Sequence, residues 1–443
     1  MTKSTRLLLV GIGLCVSACD DPLSSLLHAK NPGTITSSFY TNPANAALIV
    51  EGAQGDLHCA LGNYIVGGGQ VADELTDGEL ERYDYDRRTA NPAGDDYATA
   101  TCASALAVTG VGVYTPLSTA RWSADNAHRS VQAFSATDVP GRGALLAVAS
   151  AYAGYGRLLL GEAMCTAALD EGPILKRAQL WALADSEFTL ALSEAQAANA
   201  DSIVNLALVG RARARIDLAT NPEGPVTADA AAAAADAAQV PAGFVWNANF
   251  SATNQSYSNP PYEWITVFDY VSVKEYFWHL TFNGVDDPRV SLNYTGQFTH
   301  DGITPWVEPL KYPSPTTPIP LARSTEAQLI VAEVQGGQTA VNIINALHSA
   351  AGLPAFSSND QTTIHNQVIE ERRRELFLES QRLNDMIRFH VPFVPATGTP
   401  FKHGGTYGTT TCFPIPFVET QNNPNAGGAA VGADPAATLG SSH

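Results

Sequence analysis

The stretch from Pro241 to Pro320 combines aromatic rings with many short polar side chains, a mixture that can bind sugars. Sugar rings present apolar C–H faces and hydroxyl groups, so a glycan site uses aromatic platforms beside polar side chains. Three tryptophans are surrounded by polar and turn-forming residues, and we predict that they bind ligand: Trp246, Trp264 and Trp306. The alternative for each is a core position, since aromatic side chains are mostly buried. Trp278, which follows two other aromatic residues, is predicted to lie in the core.

A second group of polar residues is acidic and lies between residues 73 and 88. Carboxylates can supply the oxygen ligands that Ca²⁺ prefers. The group lacks the spacing and glycine placement of an EF-hand loop, so a solvated acidic loop is the stronger interpretation and we predict no metal site. Its members are Asp73, Glu74, Asp77, Glu79, Glu81, Asp84 and Asp86.

Motifs for catalysis are weak in this chain. The run Val66-Gly67-Gly68-Gly69 lacks the flanking strand, helix and lysine of a phosphate-binding loop. His58 and Cys59 are adjacent in sequence, which does not make their side chains adjacent. A glycosidase needs two carboxylates in one cleft, and sequence alone does not place such a pair, so this class stays a third alternative. We predict a protein without catalysis or cofactor.

The N-terminus has the features of a secretion signal with a lipidation site. Lys3 and Arg6 precede an uncharged run from Leu7 to Ala18, which is too short to span a bilayer as a helix. Small residues lead to Cys19, an arrangement that looks like a lipobox. We predict that residues 1–18 are removed and that Cys19 carries the lipid, because acyl chains on one residue make a stable anchor. Ordinary secretion with cleavage after Ala18 is the alternative.

Composition agrees with a secreted globular protein. The 443 residues carry a formal net charge of −18, which argues against binding nucleic acid or anionic headgroups. Four cysteines remain once Cys15 and Cys19 are set aside, and an oxidising compartment suggests two disulfides with three possible connectivities. We expect the pairs Cys59–Cys102 and Cys165–Cys412. The spacing shows no zinc pattern.

Apolar periodicity predicts a mostly α-helical chain in which consecutive helices pack as antiparallel pairs. Asn42-Pro43 and Ser324 are helix-start signals, with Ser324 as an N-cap. Prolines interrupt helices between Pro241 and Pro320. The predicted helices are Asn42–Leu61, Ala144–Cys165, Pro173–Ala198, Ser202–Ala219, Ala228–Ala238, Ser324–Glu333 and Ala340–Ala351, followed by a charged helix over Glu370–Phe389.

The charged helix and the segment that follows it are read together. Glutamates and arginines are spaced for i,i+3 and i,i+4 pairs, namely Glu370–Arg374, Glu371–Arg374 and Glu379–Arg382, each worth about 0.2–0.5 kcal/mol when exposed. We therefore expect a solvated face with structural arginines that hold carbonyls and carboxylates. Downstream, Pro414 and Pro416 force an extended stretch that we interpret as a buttress.

In this order, Glu370–Phe389 and Phe413-Pro414-Ile415-Pro416 with Asn422–Asn425 resemble the C-terminal signature of the SusD/RagB family. Glu326–Glu333 is similar to another helix of that family, although Val334 departs from its usual small residue. The resemblance implies a tetratricopeptide-like helical scaffold in a nutrient-binding lipoprotein of the outer membrane that is exposed at the cell surface. It also implies a SusC-like TonB-dependent transporter as partner and oligosaccharides or other nutrients as ligands.

The resemblance implies one SusD-like domain over residues 33–443, after a lipidated tether over 19–32. Its helical scaffold would cover about 42–240 and 322–390, its loop-rich insertion about 241–321, and an extended segment 391–443. The competing hypothesis is a tetratricopeptide-type scaffold lipoprotein of the cell envelope without a small ligand. It accounts for the lipobox and the helices but leaves the aromatic insertion unexplained.

Overall fold

The structure is a computed structural model that describes residues 37–80, 84–102, 110–223 and 230–426. The predicted signal peptide, Cys19 and the tether lie outside these residues, so their assignment stays a prediction. Helices dominate the described chain, as the sequence predicted. They are α1 Ser37–Tyr40, α2 Ala46–Val71, α3 Asp96–Thr99, α4 Tyr114–Ala133, α5 Arg142–Ala163, α6 Arg177–Ala197, α7 Asp201–Ala219, α8 Ala230–Ala237, α9 Pro260–Tyr262, α10 Ser324–Gln335, α11 Gly337–Ala351, α12 Gln361–Glu375, α13 Arg382–Arg388 and α14 Phe417–Asn422.

The long helices pack against their neighbours in chain order, α4 on α5, α5 on α6 and α6 on α7, with α2 lying against α4 and α5. Small residues make these crossings close: a Cβ on Gly210 would lie 2.3 Å from the Phe188 ring, and one on Gly154 would lie 2.8 Å from the same ring. Consecutive long helices therefore pack against each other, as predicted, and their antiparallel direction stays a prediction. Helix α5 is long and apolar enough to cross a membrane, but 78% of its most apolar window is buried inside the protein.

Several helix limits differ from the prediction. Asn42 caps a 3₁₀ turn over Pro43–Asn45 instead of the main helix, and α2 continues ten residues past Leu61 to Val71. The extension includes three consecutive glycines, which disfavour helix on their own. Burial of this last turn against neighbouring side chains overrides that preference. Helix α4 was not predicted at all.

Short strands connect and cover the helices. The segment expected to begin a helix at Pro173 first forms a strand that pairs with residues 166–168, and α6 begins only at Arg177. All sheets in the described residues are two-stranded and antiparallel. The strands are β1 Leu75–Asp77, β2 Thr166–Ala168, β3 Ile174–Lys176, β4 Val245–Ala248, β5 Val271–Val273, β6 Thr281–Phe282, β7 Val285–Asp286, β8 Leu292–Phe298, β9 Pro305–Pro309 and β10 Ile319–Arg323.

The charged segment forms two helices instead of one. The prediction that its charged face is exposed to solvent is wrong. Helix α12 ends at Glu375 and α13 begins at Arg382, while Glu371 is 0% exposed and Arg372 is 3% exposed. Of the three predicted pairs, only Glu370–Arg374 forms, at 2.7 Å. The arginines instead bind distant carboxylates and carbonyls, as the structural interpretation expected.

The partners of these charged side chains lie far away in sequence. Arg382 holds Asp73 through two bonds of 2.7 Å. Glu371 accepts from Arg289 and contacts His348 at 2.8 Å, instead of pairing with Arg374. Glu379 accepts from Lys311 at 2.6 Å and from Arg323 at 2.9 Å, instead of pairing with Arg382. These pairs tie the C-terminal helices to the loop after α2 and to the insertion.

Two other local predictions have different outcomes. Ser324 is the first residue of α10 and not its N-cap; its hydroxyl accepts from the amide of Gly243 at 3.1 Å. The segment before α14 is extended, and Phe413 forms a parallel bridge with Met164 at the end of α5. Helix α14 itself lies inside the segment that was expected to be extended throughout.

Two disulfides join the four cysteines in the pairing that we expected. Cys59 in α2 is bonded to Cys102, with their Cα atoms 6.1 Å apart. Cys165, just after α5, is bonded to Cys412, with their Cα atoms 5.1 Å apart. The second bond fastens the C-terminal segment to the helical scaffold.

Candidate functional site

A cleft of about 240 Å³ opens where the end of α2 and the loop after β1 meet the insertion. Gln70 at the end of α2 lines it, together with Trp264 and Tyr270 of the insertion. Five acidic residues also line it, namely Asp77, Glu79, Asp84, Asp95 and Asp96, beside the uncharged residues Tyr85, Gly94, Gly110, Val111 and Val271. The cleft therefore brings together residues of the aromatic-rich stretch and of the acidic group, which lie far apart in the sequence.

Strand pairing positions the two walls of this cleft. In the β1–β5 pair, Asp77 lies opposite Val271, which directly follows Tyr270. The amide of Gly78 donates to the Tyr270 carbonyl at 2.8 Å, and the Gly78 carbonyl accepts from Asp301 at 2.7 Å. The loop after β1 is thereby hydrogen-bonded to the insertion on both sides of Gly78.

The aromatic wall is a packed cluster. The ring centroid of Trp264 lies 6.1 Å from that of Tyr270 and 5.9 Å from that of Phe268. His300 meets Tyr270 edge to face, with centroids 5.0 Å apart. Edge and offset contacts of this kind add stability beyond buried area. Tyr270 is half-buried, so part of its ring remains available to a ligand.

Two buried polar atoms of cleft-lining residues lack a hydrogen-bond partner among the described residues. They are Oε1 of Gln70, in a residue that is 3% exposed, and Nε1 of Trp264, in a residue that is 2% exposed. A buried polar group without a partner costs about 1–3 kcal/mol, so native proteins keep few of them. One atom accepts and the other donates, and a hydroxyl group can do both.

Burial and crowding raise the pKa values of two carboxyls at the rim. Burial, together with nearby Asp84 and Asp96, raises the pKa of Asp95 to about 6, although the amide of Asn91 donates to it. Burial raises the pKa of Asp77 well above its ordinary range. Negative charge is therefore costly in this cleft before any ligand binds.

The C-terminal segment reaches the rim through Lys402. Its ammonium group donates to the Asp77 carbonyl, to Thr304 at 2.7 Å and to Thr76 at 3.2 Å. Asp86, which is 0% exposed, accepts from the Asp77 amide at 3.0 Å and forms an ion pair with Lys274 at 2.8 Å. These contacts fix the backbone that carries Asp77.

A glycine is required on the opposite rim. Gly110 has a φ of +72°, and a Cβ at this position would lie 1.9 Å from a carboxylate oxygen of Asp96. The absence of a side chain allows the backbone to approach the aspartate closely. A substitution at Gly110 would displace Asp96 from the cleft.

The three predicted tryptophans do not form one exposed platform. Trp264 lines the cleft but is buried, which contradicts its expected exposure. Trp306 is half-buried, and its indole donates to the Ile265 carbonyl at 2.8 Å, behind the aromatic wall. Trp246 lies elsewhere and donates to the Tyr152 hydroxyl at 3.0 Å. Trp278 is half-buried and donates to the Val273 carbonyl. Ligand binding by Trp246, Trp264 and Trp306 stays a prediction.

Sequence reasoning missed Gln70, which carries no motif. Tyr270 belonged to the aromatic stretch, and Asp77, Glu79 and Asp84 to the acidic group, but no pattern showed that they meet. Within the described residues, no group of three or more His, Cys, Asp or Glu side chains is placed to hold a metal ion.

A second cleft, also of about 240 Å³, lies beside Trp246, where α2 meets residues 249–258. His58 lines it, accepts from the Asn249 amide at 3.3 Å and contacts the Tyr152 hydroxyl at 3.0 Å. Burial lowers the pKa of His58 to about 4, so its ring is neutral. Tyr257, which is 64% exposed, forms the outer edge.

Known proteins are similar to this chain in two ways, in the sequence of its C-terminal segment and in its overall fold. The model of the SusD family matches residues 314–430. The starch-binding protein SusD of Bacteroides thetaiotaomicron is 34% identical over 119 residues, which are 25% of this chain and 21% of that protein. The matched segment thus spans about a fifth of this curated relative.

Solved structures extend the likeness to nearly the whole chain. A SusD homolog from Bacteroides thetaiotaomicron has a TM-score of 0.64 at 15% identity, covering 87% of this chain and 97% of that one. A SusD-like carbohydrate binding protein from Bacteroides vulgatus has a TM-score of 0.59 at 15% identity, covering 87% and 97%. At such identities the likeness shows the fold. The resemblance to the SusD/RagB family is confirmed, and so is the SusD-like, mostly helical fold class.

Proposed function

We propose that this chain, with a SusD-like fold and a SusD-family C-terminal segment, is a surface-exposed outer-membrane lipoprotein that binds oligosaccharides. It would deliver them to a SusC-like TonB-dependent transporter. The observation that carries the binding function is the cleft between α2 and the insertion, where a buried acceptor on Gln70 and a buried donor on Trp264 have no described partner.

The chemistry of this cleft suits a sugar. Both unpaired atoms are buried, so a sugar hydroxyl would bond to the Gln70 oxygen or the Trp264 indole after a small movement of the side chain toward the cleft, and would then relieve the cost of leaving them unpaired. The half-buried ring of Tyr270 offers an apolar surface for the C–H face of a pyranose. Carboxylates at the rim can accept from further hydroxyls. The volume of about 240 Å³ lies below the roughly 300–1,000 Å³ of typical ligand sites, so it would hold only part of a longer chain.

The relatives support a binding protein. One is named a starch-binding protein and another a carbohydrate binding protein, and neither name describes an enzyme. For this chain we propose carbohydrate binding without catalysis, and we do not transfer the particular carbohydrate of any relative to it. The single SusD-like domain over residues 33–443 belongs to the same proposal.

The anchor and the partner complete the proposed function. A lipid on Cys19 would hold the protein at the outer membrane, as acyl chains attached to a single residue suffice for stable anchoring. Membrane fractionation of a Cys19→Ser variant tests this step, and a variant that stays in the membrane fraction would contradict it. Purification of the lipidated protein from its own outer membrane should also bring down a large β-barrel transporter, and its absence would count against the delivery role.

Glycan binding is tested with a panel of oligosaccharides titrated into the purified protein while tryptophan fluorescence is followed. We expect saturable binding that is lost in Tyr270→Ala, because the exposed part of this ring faces the ligand. Tyr257→Ala is the matched control, since it removes an exposed tyrosine from the second cleft. Loss of binding only in the control would move the site to the second cleft. A folded protein that binds no glycan would favour the scaffold hypothesis.

A further inference from the structure

Three arginines lie in the interior of the protein, where α5, α7, α10, α12 and α13 pack together. Each guanidinium holds one carboxylate through two hydrogen bonds, the geometry in which arginine binds a carboxylate most specifically. The pairs are Arg213–Glu162, Arg372–Asp385 and Arg388–Glu333, with donor–acceptor distances from 2.5 to 3.0 Å. These three cations and three carboxylates therefore match one for one.

Two further carboxyl groups in the same interior have no such partner. Asp217 on α7 and Glu326 on α10 are each 2% exposed. Asp217 lies 3.9 Å from Nε of Arg388, and Glu326 lies 3.7 Å from Nη1 of Arg213, distances too long for a hydrogen bond. Oδ2 of Asp217 and Oε1 of Glu326 are buried and have no hydrogen-bond partner among the described residues. We call these two residues the surplus pair.

The positive charges near the surplus pair are largely committed elsewhere. Arg323, near Glu326, is already bound to two other glutamates. Arg177 lies near Asp217 but forms no ion pair with a described residue, since it binds a carbonyl oxygen and an amide oxygen. The other charged or titratable groups that face the surplus pair are Tyr64, Tyr155, Glu162, Arg213, Arg372, Glu379, Asp385 and Arg388. Two carboxyls thus share one unpaired guanidinium, so ionisation of both would leave this interior with a negative charge in excess among the described residues.

Buried surroundings favour the neutral form of such a carboxyl. An ionised carboxylate that is buried without a hydrogen bond is strongly disfavoured, so the group keeps its proton instead. Burial and the negative charge of Glu162 raise the pKa of Asp217 well above its ordinary range. Burial also raises the pKa of Glu326 to about 7, although Arg213 and Arg372 oppose the shift. Of the two, Asp217 therefore holds its proton to the higher pH.

We propose that the surplus pair is a buried proton-binding site: Asp217 is a neutral carboxylic acid in the folded protein at neutral pH, and its deprotonation at alkaline pH loosens α13. Arg388 of α13 binds Glu333 of α10 and also accepts no third carboxylate at short range while Asp217 is neutral. An ionised Asp217 would compete with Glu333 for Arg388, and so weaken the contact that fastens α13 to α10. This inference does not depend on the ligand of the cleft.

Urea denaturation over a series of pH values tests the proton. A carboxyl whose pKa is raised on folding stabilises the fold fully below its pKa in the unfolded chain, and this stabilisation is lost as pH rises through the folded-state pKa. The unfolding equilibrium constant of the parent should therefore rise relative to that of Asp217→Asn by up to about tenfold per pH unit between about pH 5 and pH 9. Glu326→Gln should show the same trend only up to about pH 7.

Infrared spectroscopy observes the proton directly. A protonated carboxyl has a carbonyl stretch distinct from that of a carboxylate and sensitive to exchange into D₂O. The folded parent at neutral pH should show this band, and Asp217→Asn should show a weaker one. Other buried carboxyls such as Glu74 contribute to the same band, so the difference between the two proteins is the quantity to measure.

Glu333→Gln is the matched control, because it is the same substitution as Glu326→Gln on the same helix but removes a carboxylate bound to an arginine. It should raise the unfolding equilibrium constant by a similar factor at every pH and leave the infrared band unchanged. This contrast separates the loss of a proton site from the loss of an ion pair.

Two results would overturn the inference. A constant ratio between parent and Asp217→Asn from about pH 5 to pH 9, or an equally strong infrared band in both, would mean that the surplus pair is ionised and held by internal water. Failure of Asp217→Asn to fold in this range would overturn it as well, since a neutral side chain of the same shape should be tolerated. None of these measurements uses a glycan, so their outcome leaves the proposed function untouched.

Discussion

Replacement of Gln70 by methionine should stabilise the free protein and weaken ligand binding. Gln70 is 3% exposed, and its Oε1 has no described partner, so this oxygen carries a desolvation cost of about 1–3 kcal/mol. Methionine keeps the length and unbranched shape of the side chain and has no amide to satisfy. The free energy of unfolding should therefore rise by about 1–3 kcal/mol.

The same change should lower affinity for the glycan. A neutral hydrogen bond between ligand and Gln70 is worth about 0.5–1.5 kcal/mol, which corresponds to a Kd about two- to thirteenfold higher in the variant. Opposite signs in the two measurements are the signature of an atom reserved for ligand. A residue that only supports the fold would lose stability when replaced.

Urea denaturation followed by circular dichroism gives the stability, and isothermal titration calorimetry gives the affinity. Gln335→Met is the control, because Gln335 is an exposed glutamine at the end of α10, as Gln70 is a buried one near the end of α2. The control should change stability by no more than about 0.5 kcal/mol. A Gln70→Met protein that is less stable than the parent, or more stable with unchanged affinity, would refute the reasoning.

Two further predictions concern buried charge. Arg382→Ala should lower the free energy of unfolding by about 3–5 kcal/mol in urea denaturation, since it leaves Asp73 buried and unpaired. As the control, Asp185→Asn breaks a partly exposed ion pair and should lower the free energy of unfolding by less than about 1 kcal/mol. Equal losses in the two variants would contradict this account. Burial raises the pKa of Glu74 to about 8, above its value in the unfolded chain, so its contribution to stability is complete below about pH 4.5 and is lost as pH rises through 8. Glu74→Gln keeps the acceptor for the Leu378 amide and should therefore gain stability over the parent between pH 5 and 9, whereas a constant difference would show that Glu74 does not titrate there.

Helical pattern was enough to predict much of the scaffold. Helices α5, α7, α8, α10 and α11 lie close to their predicted limits, because their apolar spacing and flanking breakers agree. The end of α2 was missed, since a run of glycines disfavours helix and only tertiary packing holds it. Helix α4 was missed because it carries charged and polar residues among its small apolar ones.

The cleft was harder to predict than the scaffold. Its residues come from α2, from the loop after β1, from the segment before α3 and from the insertion, and the pairing of β1 with β5 spans almost 200 positions. Composition identified the aromatic and acidic groups, but it does not show that the two groups lie close together in the fold. The tryptophans were chosen by polar neighbours in sequence, whereas Trp306 donates to the Ile265 carbonyl, Trp246 donates to the Tyr152 hydroxyl and Trp264 is buried.

The charged helices α12 and α13 contribute no residue to the lining of the cleft, but they hold the segments that form its walls. Arg382 holds Asp73, and the Leu378 amide donates to Glu74, so both residues between α2 and β1 are fixed from this side. Arg374 and Arg373 hold the insertion through its Thr281 and Tyr276 carbonyls.

Both walls of the cleft are thus fastened to the same pair of helices, the first through residues next to β1 and the second through the insertion. Buried ion pairs of this kind contribute little net stability compared with apolar packing, but they are costly to break and admit few alternative geometries. A side chain placed by them keeps its position when ligand is absent, which lowers the cost of ordering the site on binding. We therefore expect variants that loosen these helices, Arg382→Ala among them, to weaken glycan binding even though Arg382 does not line the cleft. Unchanged affinity in a folded Arg382→Ala protein would show that the walls are held by their own strand pairing alone.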